Sequence, residues 1–276
     1  MSDPRLTPAR SDVASRSLEG AVAASSYVDP QVMQVVVAAT GIHSAPDLAS
    51  EQQDQALFGE IFEVLAPSGD FAWGQARRDG YVGYVRLETL GALTLPATHR
   101  VNAIRTYAFA QPSIKSQAAG PYSPNSLLTI EAQEGRFAKA AGGGWFIAEH
   151  LSPIGQFETD WVEVATRFLG AAYLWGGREA QGLDCSGLVQ QARMAAGYAC
   201  PRDTDQQQLL GIEASPSDLK RGDLVFWLGH VGIMLDATQL LHANAHHMAT
   251  AIEPLAEAVA RIAAGPTGVP TGYRRL

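Results

Sequence analysis

The spacing of apolar and polar residues divides the chain into two regions. From about residue 30 to residue 154, short apolar runs such as "QVMQVVVAAT" are separated by turns that contain glycine, a pattern typical of β-strands. Ser68-Gly69 and Asp79-Gly80 lie between apolar runs and predict tight turns, the second of them a hairpin. We therefore expect this region to be all-β.

The strand pattern occurs twice. Residues 69–72 (Gly-Asp-Phe-Ala) match residues 135–138 (Gly-Arg-Phe-Ala), and aromatic strands follow both. This spacing suits two small all-β barrels in tandem, and chance similarity between two β-meanders is the alternative. We place the barrels at residues 30–92 and 93–154, after an N-terminal extension over residues 1–29.

A different pattern begins at about residue 155. "TDWVEVATRFLG" has helical spacing after a Thr or Asp cap, and Gly170 is expected to end that helix. A second helix begins near Cys185 and ends at Gly197. Three consecutive strands then follow in "DLVFWLG", "HVGIMLD" and "LLHANA", with a last strand in "TGYRR". Helices before an antiparallel meander predict an α+β domain over residues 155–276.

Composition limits the partners and the compartment. The net charge of −8 argues against a nucleic acid or an anionic membrane as partner, because both require concentrated Lys and Arg. No apolar stretch has the length of a membrane span. The polar N-terminus lacks the apolar segment of a secretory signal, so we expect a cytoplasmic protein. The two cysteines are too few for a disulfide framework, and we interpret Cys200 as structural.

Cys185 is the first candidate for chemistry, because it directly precedes the second predicted helix. A thiol attacks a carbonyl group only as a thiolate, and unpaired N–H groups at a helix N-terminus favour that negative charge. A lone cysteine in an apolar helix usually fills a core. Here Asp184, Ser186 and nearby glycines flank the cysteine, which suits close approach of a substrate better than core packing.

Two histidines supply the groups that a reactive thiol requires. His230 begins one strand and His242 lies on the next, so their side chains are expected to be neighbours. His230 could act as general base and then as general acid, with His242 orienting its ring. Taken singly, each histidine could be no more than a polar strand end. Cys, His and His in this order favour catalysis.

His246 and His247 raise the alternative of a metal site. They lie in a predicted loop, with no cysteine or carboxylate at matching ligand spacing. We therefore predict neither a metal site nor a cofactor.

With these residues assembled, the C-terminal part resembles the NlpC-type superfamily of bacterial cell-wall peptidases, which are circularly permuted relatives of papain. The matching stretches are "YLWGGREAQGLDCSGLVQQA", "CPRDTDQQ", "LKRGDLVFW", "GHVGIML" and "LLHANA". The resemblance implies a papain-like domain with an antiparallel sheet, in which Cys185 is the nucleophile, His230 the base and His242 the third member. Tyr173 matches a tyrosine whose hydroxyl helps to hold the oxyanion.

Further residues match positions that bind substrate in that family. Asp184, Ser186 and Thr204 correspond to the lining of the D-glutamyl and L-Ala pockets. The two preceding barrels resemble the bacterial SH3-like barrels of enzymes that cleave γ-D-glutamyl–diamino acid bonds in peptides with a free N-terminal L-Ala. In that subgroup an acidic residue and a tyrosine of the first barrel bind the free amine. Glu60 and Tyr81 are our candidates; the alternatives are a solvated strand Glu and a hairpin-core Tyr.

The resulting hypothesis is a cytoplasmic cysteine peptidase in murein peptide recycling. Its partner would be the substrate peptide, L-Ala-γ-D-Glu-diamino acid. Two alternatives remain open: an acyltransferase or amidase on the same scaffold, and a non-catalytic wall-binding protein.

Overall fold

The computed structural model describes residues 3–92 and 95–276. The chain folds into two compact units that divide between Ile154 and Gly155. Residue 93, where the second barrel is expected to begin, lies outside the described residues, as do residues 1 and 2 of the expected N-terminal extension. Within the described ranges, every helix is too short or too polar to cross a membrane.

The N-terminal segment is part of the first unit. Its short strands β1 (Ala14–Ser15) and β2 (Tyr27–Val28) pair in parallel, with a 3-10 helix between them. The Arg10 guanidinium lies 4.4 Å from the Trp73 ring centroid and donates a 2.9 Å hydrogen bond to the Tyr84 hydroxyl. Cation–π and hydrogen-bond contacts therefore attach this segment to the strands that follow.

The next strands form one antiparallel sheet. They are β3 (Gln31–Val35), β4 (Ala39–His43), β5 (Gln52–Leu57), β6 (Ile61–Ser68), β7 (Phe71–Ala76), β8 (Val82–Arg86) and β9 (Leu90–Ala92). Their order in the sheet is β5-β4-β8-β7-β6-β3-β9. Gly69 and Gly80 have φ angles of 63° and 82° in the turns before and after β7, conformations that glycine adopts without strain. Both predicted turns are confirmed.

A second set of strands follows the same order. They are β10 (His99–Val101), β11 (Thr106–Phe109), β12 (Ala118–Tyr122), β13 (Leu127–Leu128), β14 (Ile130–Glu134), β15 (Phe137–Ala140), β16 (Trp145–Ile147) and β17 (Leu151–Pro153). The sheets read β12-β11-β16-β15-β14 and β13-β10-β17. The pair β13 and β14 together corresponds to β6 of the first set. With this correspondence, the second set has the same strand order as β3–β9. A 3-10 helix precedes the last strand in each set.

Each set of strands encloses its own apolar cluster. Phe62, Ile42 and Val85 are fully buried in the first, and Phe146 and Val101 in the second. Strands such as β8 alternate buried and half-buried residues, as period-2 patterning requires of a sheet with one face on a core. Fully burying such side chains stabilises by roughly 1.5–3 kcal/mol each.

The second unit places helices against one mixed sheet. The helices are α1 (Trp161–Thr166), α2 (Cys185–Ala195), α3 (Thr204–Gln207) and α4 (Leu255–Ala263). The strands are β18 (Ala172–Tyr173), β19 (Arg178–Glu179), β20 (Gly182–Leu183), β21 (Ile212–Glu213), β22 (Asp223–Trp227), β23 (His230–Met234), β24 (Gln239–Asn244), β25 (Ala249–Pro254) and β26 (Gly272–Arg275). Their order is β19-β20-β18-β25-β24-β23-β22-β26-β21.

The helix ends follow from local chemistry. Asp160, rather than the preceding threonine, caps α1, because its carboxylate accepts hydrogen bonds from the N–H groups of Val162 and Glu163. Helix α1 ends at Thr166, and Gly170 follows with a φ angle of 80°. Helix α2 begins at Cys185 as predicted and packs against β23 and β24. The predicted meander β22-β23-β24 and the last strand β26 are also confirmed.

Neither β25 nor α4 was expected from the sequence. Leu255, Val259 and Ile262 nevertheless have the spacing of a helix face, and they pack against the core around Trp227. The omission matters for the site, because these two elements carry charged residues that lie beside the histidines.

Candidate active site

Cys185 is held at the first position of α2. Asp184 caps the helix and accepts a 2.7 Å hydrogen bond from the Gly187 N–H. The Cys185 side chain is buried, and its thiol lies 4.0 Å from the Gly229 carbonyl oxygen. The Val231 N–H also hydrogen-bonds the sulfur. These two backbone groups flank His230, so the thiol lies beside the start of β23.

The two predicted histidines are in direct contact. Nε2 of His230 is 2.8 Å from Nδ1 of His242. His242 is completely buried, and its Nε2 lies 2.7 Å from a carboxylate oxygen of Glu253. Arg261 forms an ion pair with the same oxygen of Glu253. The structure thus brings Cys185, His230 and His242 together and adds a carboxylate and a guanidinium that the sequence did not predict.

Burial opposes charge on both the thiol and the base. Desolvation raises the pKa of Cys185 to about 12, and the nearby Asp184 carboxylate adds to the shift. Desolvation lowers the pKa of His230 to about 3, with His242 and Arg261 adding to it. In the resting protein both groups are therefore neutral at neutral pH. Desolvation of the thiol outweighs the stabilisation of a thiolate by the helix N-terminus. The proton must therefore leave the thiol as the sulfur attacks.

Asp184 lies in a buried ion pair. Its carboxylate accepts hydrogen bonds of 3.0 and 2.6 Å from both terminal nitrogens of Arg202, and one of 2.9 Å from the Gly176 N–H. Arg202 also donates to the Ser186 hydroxyl at 2.7 Å, and that hydroxyl donates to Asp184 at 3.1 Å. This network fixes the chain on both sides of Cys185. The substrate-binding roles of Asp184 and Ser186 stay predictions.

Thr204 is the first residue of the short helix α3, which is hydrogen-bonded to the first turn of α2. Gln207 on α3 donates a 2.9 Å hydrogen bond to the Ser186 carbonyl oxygen. Thr204 itself is half-buried. Its predicted contact with the glutamyl carboxylate remains a prediction.

Tyr173 lines a cavity of about 200 Å³ together with His230 and His242. Burial raises the pKa of its phenol, and the negative charge that Cys185 and Asp184 can carry raises it further. The hydroxyl therefore keeps its proton and can donate a hydrogen bond, as an oxyanion donor must.

Glu60 and Tyr81 belong to the first unit, whereas Cys185 belongs to the second. The Glu60 carboxylate is buried, accepts a 2.9 Å hydrogen bond from Arg78 and accepts another from the Leu57 N–H. Tyr81 packs in the apolar cluster of the first set of strands. An arriving ammonium group would have to share the Glu60 carboxylate with Arg78. The amine-binding role of both residues stays a prediction.

One group of side chains has metal-ligand chemistry. Ligand atoms of His242, His247 and Glu253 lie within 4.8 Å of one another, so a carboxylate does accompany these histidines. His242 and Glu253 are already hydrogen-bonded to each other, and Nδ1 of His247 is 2.9 Å from the Asn244 side-chain oxygen. The Arg261 guanidinium forms an ion pair with the Glu253 carboxylate. The arrangement is a hydrogen-bond network in which a second cation would compete with Arg261.

The histidine pair makes the stability of the protein sensitive to acid. Burial lowers the pKa of His242 from 6.5 to about 3, so between these values the unfolded chain binds a proton that the native state excludes. We expect the free energy of unfolding to fall as the pH drops from 6.5 towards 3. Urea unfolding at several pH values measures it, and His242→Gln should flatten the fall. A pH dependence identical to that of the unaltered protein would contradict this assignment.

Comparison with known proteins gives two family matches. The description "NlpC/P60 family" matches residues 170–261, and "Bacterial dipeptidyl-peptidase Sh3 domain" matches residues 42–90. These two regions contain the thiol with its histidines and most of the first set of strands.

Individual proteins agree with these matches. The chain is 29% identical to a gamma-D-glutamyl-L-lysine dipeptidyl-peptidase of Bacillus subtilis over 69% of this chain and 72% of that protein. It is 31% identical to a probable endopeptidase of Corynebacterium glutamicum over 58% of this chain and 68% of that protein. The crystal structure of an NlpC/P60 family protein from Bacillus cereus superposes with a TM-score of 0.75 and 18% identity, covering 89% of this chain and 99% of that one. The chain therefore combines an SH3 domain with an NlpC/P60 domain and belongs to the NlpC/P60 family, as a hydrolase of the cysteine peptidase type.

Proposed function

We propose that this protein hydrolyses the bond between γ-D-Glu and a diamino acid in murein peptides with a free N-terminal L-Ala. One observation carries the proposal: a thiol at the first position of α2 contacts the backbone on both sides of His230, and the His230 ring is hydrogen-bonded to a second, buried histidine. This is the arrangement of a nucleophile, a base and an orienting group.

The geometry supports a two-step acyl transfer. His230 takes the proton of the Cys185 thiol while the sulfur attacks the carbonyl carbon. Tyr173 and the Cys185 N–H are the candidate donors to the oxyanion that forms. His230 then gives the proton to the amine of the diamino acid, which leaves, and a thioester remains on Cys185. Water, deprotonated by His230, attacks that thioester and releases L-Ala-γ-D-Glu and the free thiol.

Candidates for substrate recognition occur in each of the two units. Asp184, Ser186 and Thr204 are the candidates for the L-Ala-γ-D-Glu part, with Asp184 and Ser186 next to the nucleophile in sequence. Glu60 and Tyr81 are the candidates for the free amine, and the buried carboxylate of Glu60 supplies the charge that an ammonium group requires. The B. subtilis relative, named for a gamma-D-glutamyl-L-lysine bond, supports this substrate class.

We also infer that the two sets of strands in the first unit are tandem SH3-like barrels and that the second unit is a papain-like α+β domain. The repeated strand order supports the first inference, because two unrelated β-meanders have no reason to share it. Helix α2 packed on the antiparallel strands β23 and β24 supports the second. The setting in cytoplasmic recycling stays a prediction from the sequence.

A pair of peptides tests the proposed function. We expect cleavage of L-Ala-γ-D-Glu-diaminopimelate, with L-Ala-γ-D-Glu detected as product by mass spectrometry. The same peptide acetylated on its N-terminus should react roughly 10- to 100-fold more slowly, because one charge-assisted contact is lost. The L-Lys form of the peptide compares the two diamino acids.

Two results would count against the proposal. If neither peptide is cleaved, the substrate class is wrong. If both are cleaved at equal rates, Glu60 and Tyr81 do not bind the amine. Added amines that appear in the product in place of water would favour the acyltransferase alternative.

A further inference from the structure

Glu253 is placed against His242 by the register of two strands. Strand β25 pairs antiparallel with β24, with Ala251 opposite His242 and Glu253 opposite Leu240. Because side chains alternate along a strand, Glu253 and His242 project from the same face on a diagonal. Their 2.7 Å contact is therefore a consequence of sheet register and does not depend on a flexible loop.

The carboxylate fixes where the protons lie on His242. An ionised carboxylate only accepts hydrogen bonds, and the carboxylate of Glu253 forms an ion pair with the Arg261 guanidinium beside it. Nε2 of His242 must therefore carry the hydrogen that Glu253 accepts. Burial keeps His242 neutral, so its Nδ1 is left with a lone pair.

The same reasoning continues to the base. Nδ1 of His242 can only accept, so Nε2 of His230 must donate across the 2.8 Å contact. Because His230 is also neutral in the resting protein, its Nδ1 then carries the lone pair. That is the nitrogen left to take a proton from Cys185.

We propose that Glu253 is a positioning residue for the hydrolysis, setting the tautomers of His242 and, through it, of His230. The inference rests on the proposed function for its kinetic consequence, although the tautomers themselves are independent of any substrate. Without Glu253, His242 can adopt the tautomer with hydrogen on Nδ1, which would face the Nε2–H of His230 and compete with the productive arrangement.

The tautomers can be measured directly. Long-range ¹H–¹⁵N NMR spectra of the 276-residue chain labelled on histidine distinguish the two neutral forms by their ring nitrogen shifts. We expect His242 and His230 both to carry hydrogen on Nε2 in the unaltered protein. Hydrogen on Nδ1 of either residue would overturn the proposal, whether or not murein peptides are cleaved.

Kinetics of Glu253 variants form the second arm. A wrong tautomer next to the base of a serine triad costs about 10⁴-fold in kcat. Glu253 contacts His242 and not the base His230, so we expect Glu253→Leu to have a smaller effect and to lower kcat by roughly 10- to 100-fold. KM should stay within about twofold, because Glu253 acts through His242 and not on the substrate. Glu253→Gln retains an oxygen that can accept from His242 and should recover most of the rate.

Glu257→Gln is the matched control, since Glu257 is an exposed carboxylate on the adjacent helix α4. It should change neither the spectra nor kcat. Unchanged tautomers and kcat in Glu253→Leu would overturn the proposal. So would equal losses in Glu253→Leu and Glu253→Gln, since the accepting oxygen would then not matter. If Glu253→Leu does not fold, the spectra of the unaltered protein and of Glu253→Gln still test the tautomers of His242 and His230. A protein with the expected tautomers but no activity on murein peptides would refute the proposed function and leave the tautomer assignment standing.

Discussion

Replacing Cys185 with alanine is expected to abolish peptide hydrolysis and leave the protein folded. The thiol is the nucleophile that the described part of the site holds against the backbone beside His230, so its loss removes the covalent pathway. We expect kcat to fall by at least about 10⁴-fold, as when members of a catalytic triad are removed. The fold should tolerate the change, because alanine fills the same buried position at the start of α2 with a smaller side chain.

The design of this test uses the second cysteine as control. Cys200 is buried in the same unit, so Cys200→Ala removes an equivalent thiol outside the site. It should retain full activity. His230→Ala should lose about 10²- to 10⁴-fold, the contribution of a general base. The double variant Cys185→Ala/His230→Ala should be no slower than Cys185→Ala alone, because the two residues act as a unit. Activity that survives in Cys185→Ala, or an equal loss in Cys200→Ala, would contradict the assignment.

Cys185, His230 and His242 could be predicted because the first two lie where a sequence pattern changes and His242 lies on the neighbouring strand. The helix period begins at Cys185, and the strand runs that contain the histidines are bounded by turn residues. Neighbouring strands in a meander also place their residues close together without knowledge of the tertiary fold. These positions depend on short-range structure, which a single sequence records well.

Glu253 and Arg261 could not be found in that way. Glu253 meets His242 only through the register of β24 and β25, and Arg261 only through the packing of α4. The direction of the pKa shift on Cys185 was missed for a related reason. The helix N-terminus can be identified from the sequence, whereas desolvation depends on how completely the folded protein covers the thiol.

Asp184 shows the same limit and leads to the second large effect. From the sequence it is a candidate for the substrate pocket, but in the structure both of its oxygens bind Arg202, which is 1% exposed. We expect Asp184→Ala to lower the free energy of unfolding by about 3–5 kcal/mol, the usual result of leaving one charge of a buried pair uncompensated. Loss of the N-cap of α2 accounts for about 1 kcal/mol of this decrease.

Asp160 provides the matched control for the cap. It also caps a helix, α1, but it is exposed and its ion pair with Arg221 is at the surface. Asp160→Ala should therefore cost only about 1 kcal/mol in urea unfolding. The double variant Asp184→Ala/Arg202→Met should regain part of the stability lost in Asp184→Ala, because the uncompensated charge is gone.

The stabilities of Asp184→Ala and Asp160→Ala together also show what Asp184 does for the reaction. If Asp184→Ala is no less stable than Asp160→Ala, the buried pair contributes little, and any loss of activity reflects contact with substrate. If it is much less stable, the Asp184–Arg202 pair is a framework for the nucleophile, because it holds the residues on both sides of Cys185. A framework role predicts that the double variant, although more stable than Asp184→Ala, keeps a low kcat. The cap and the Ser186 contact that orient Cys185 are still missing there.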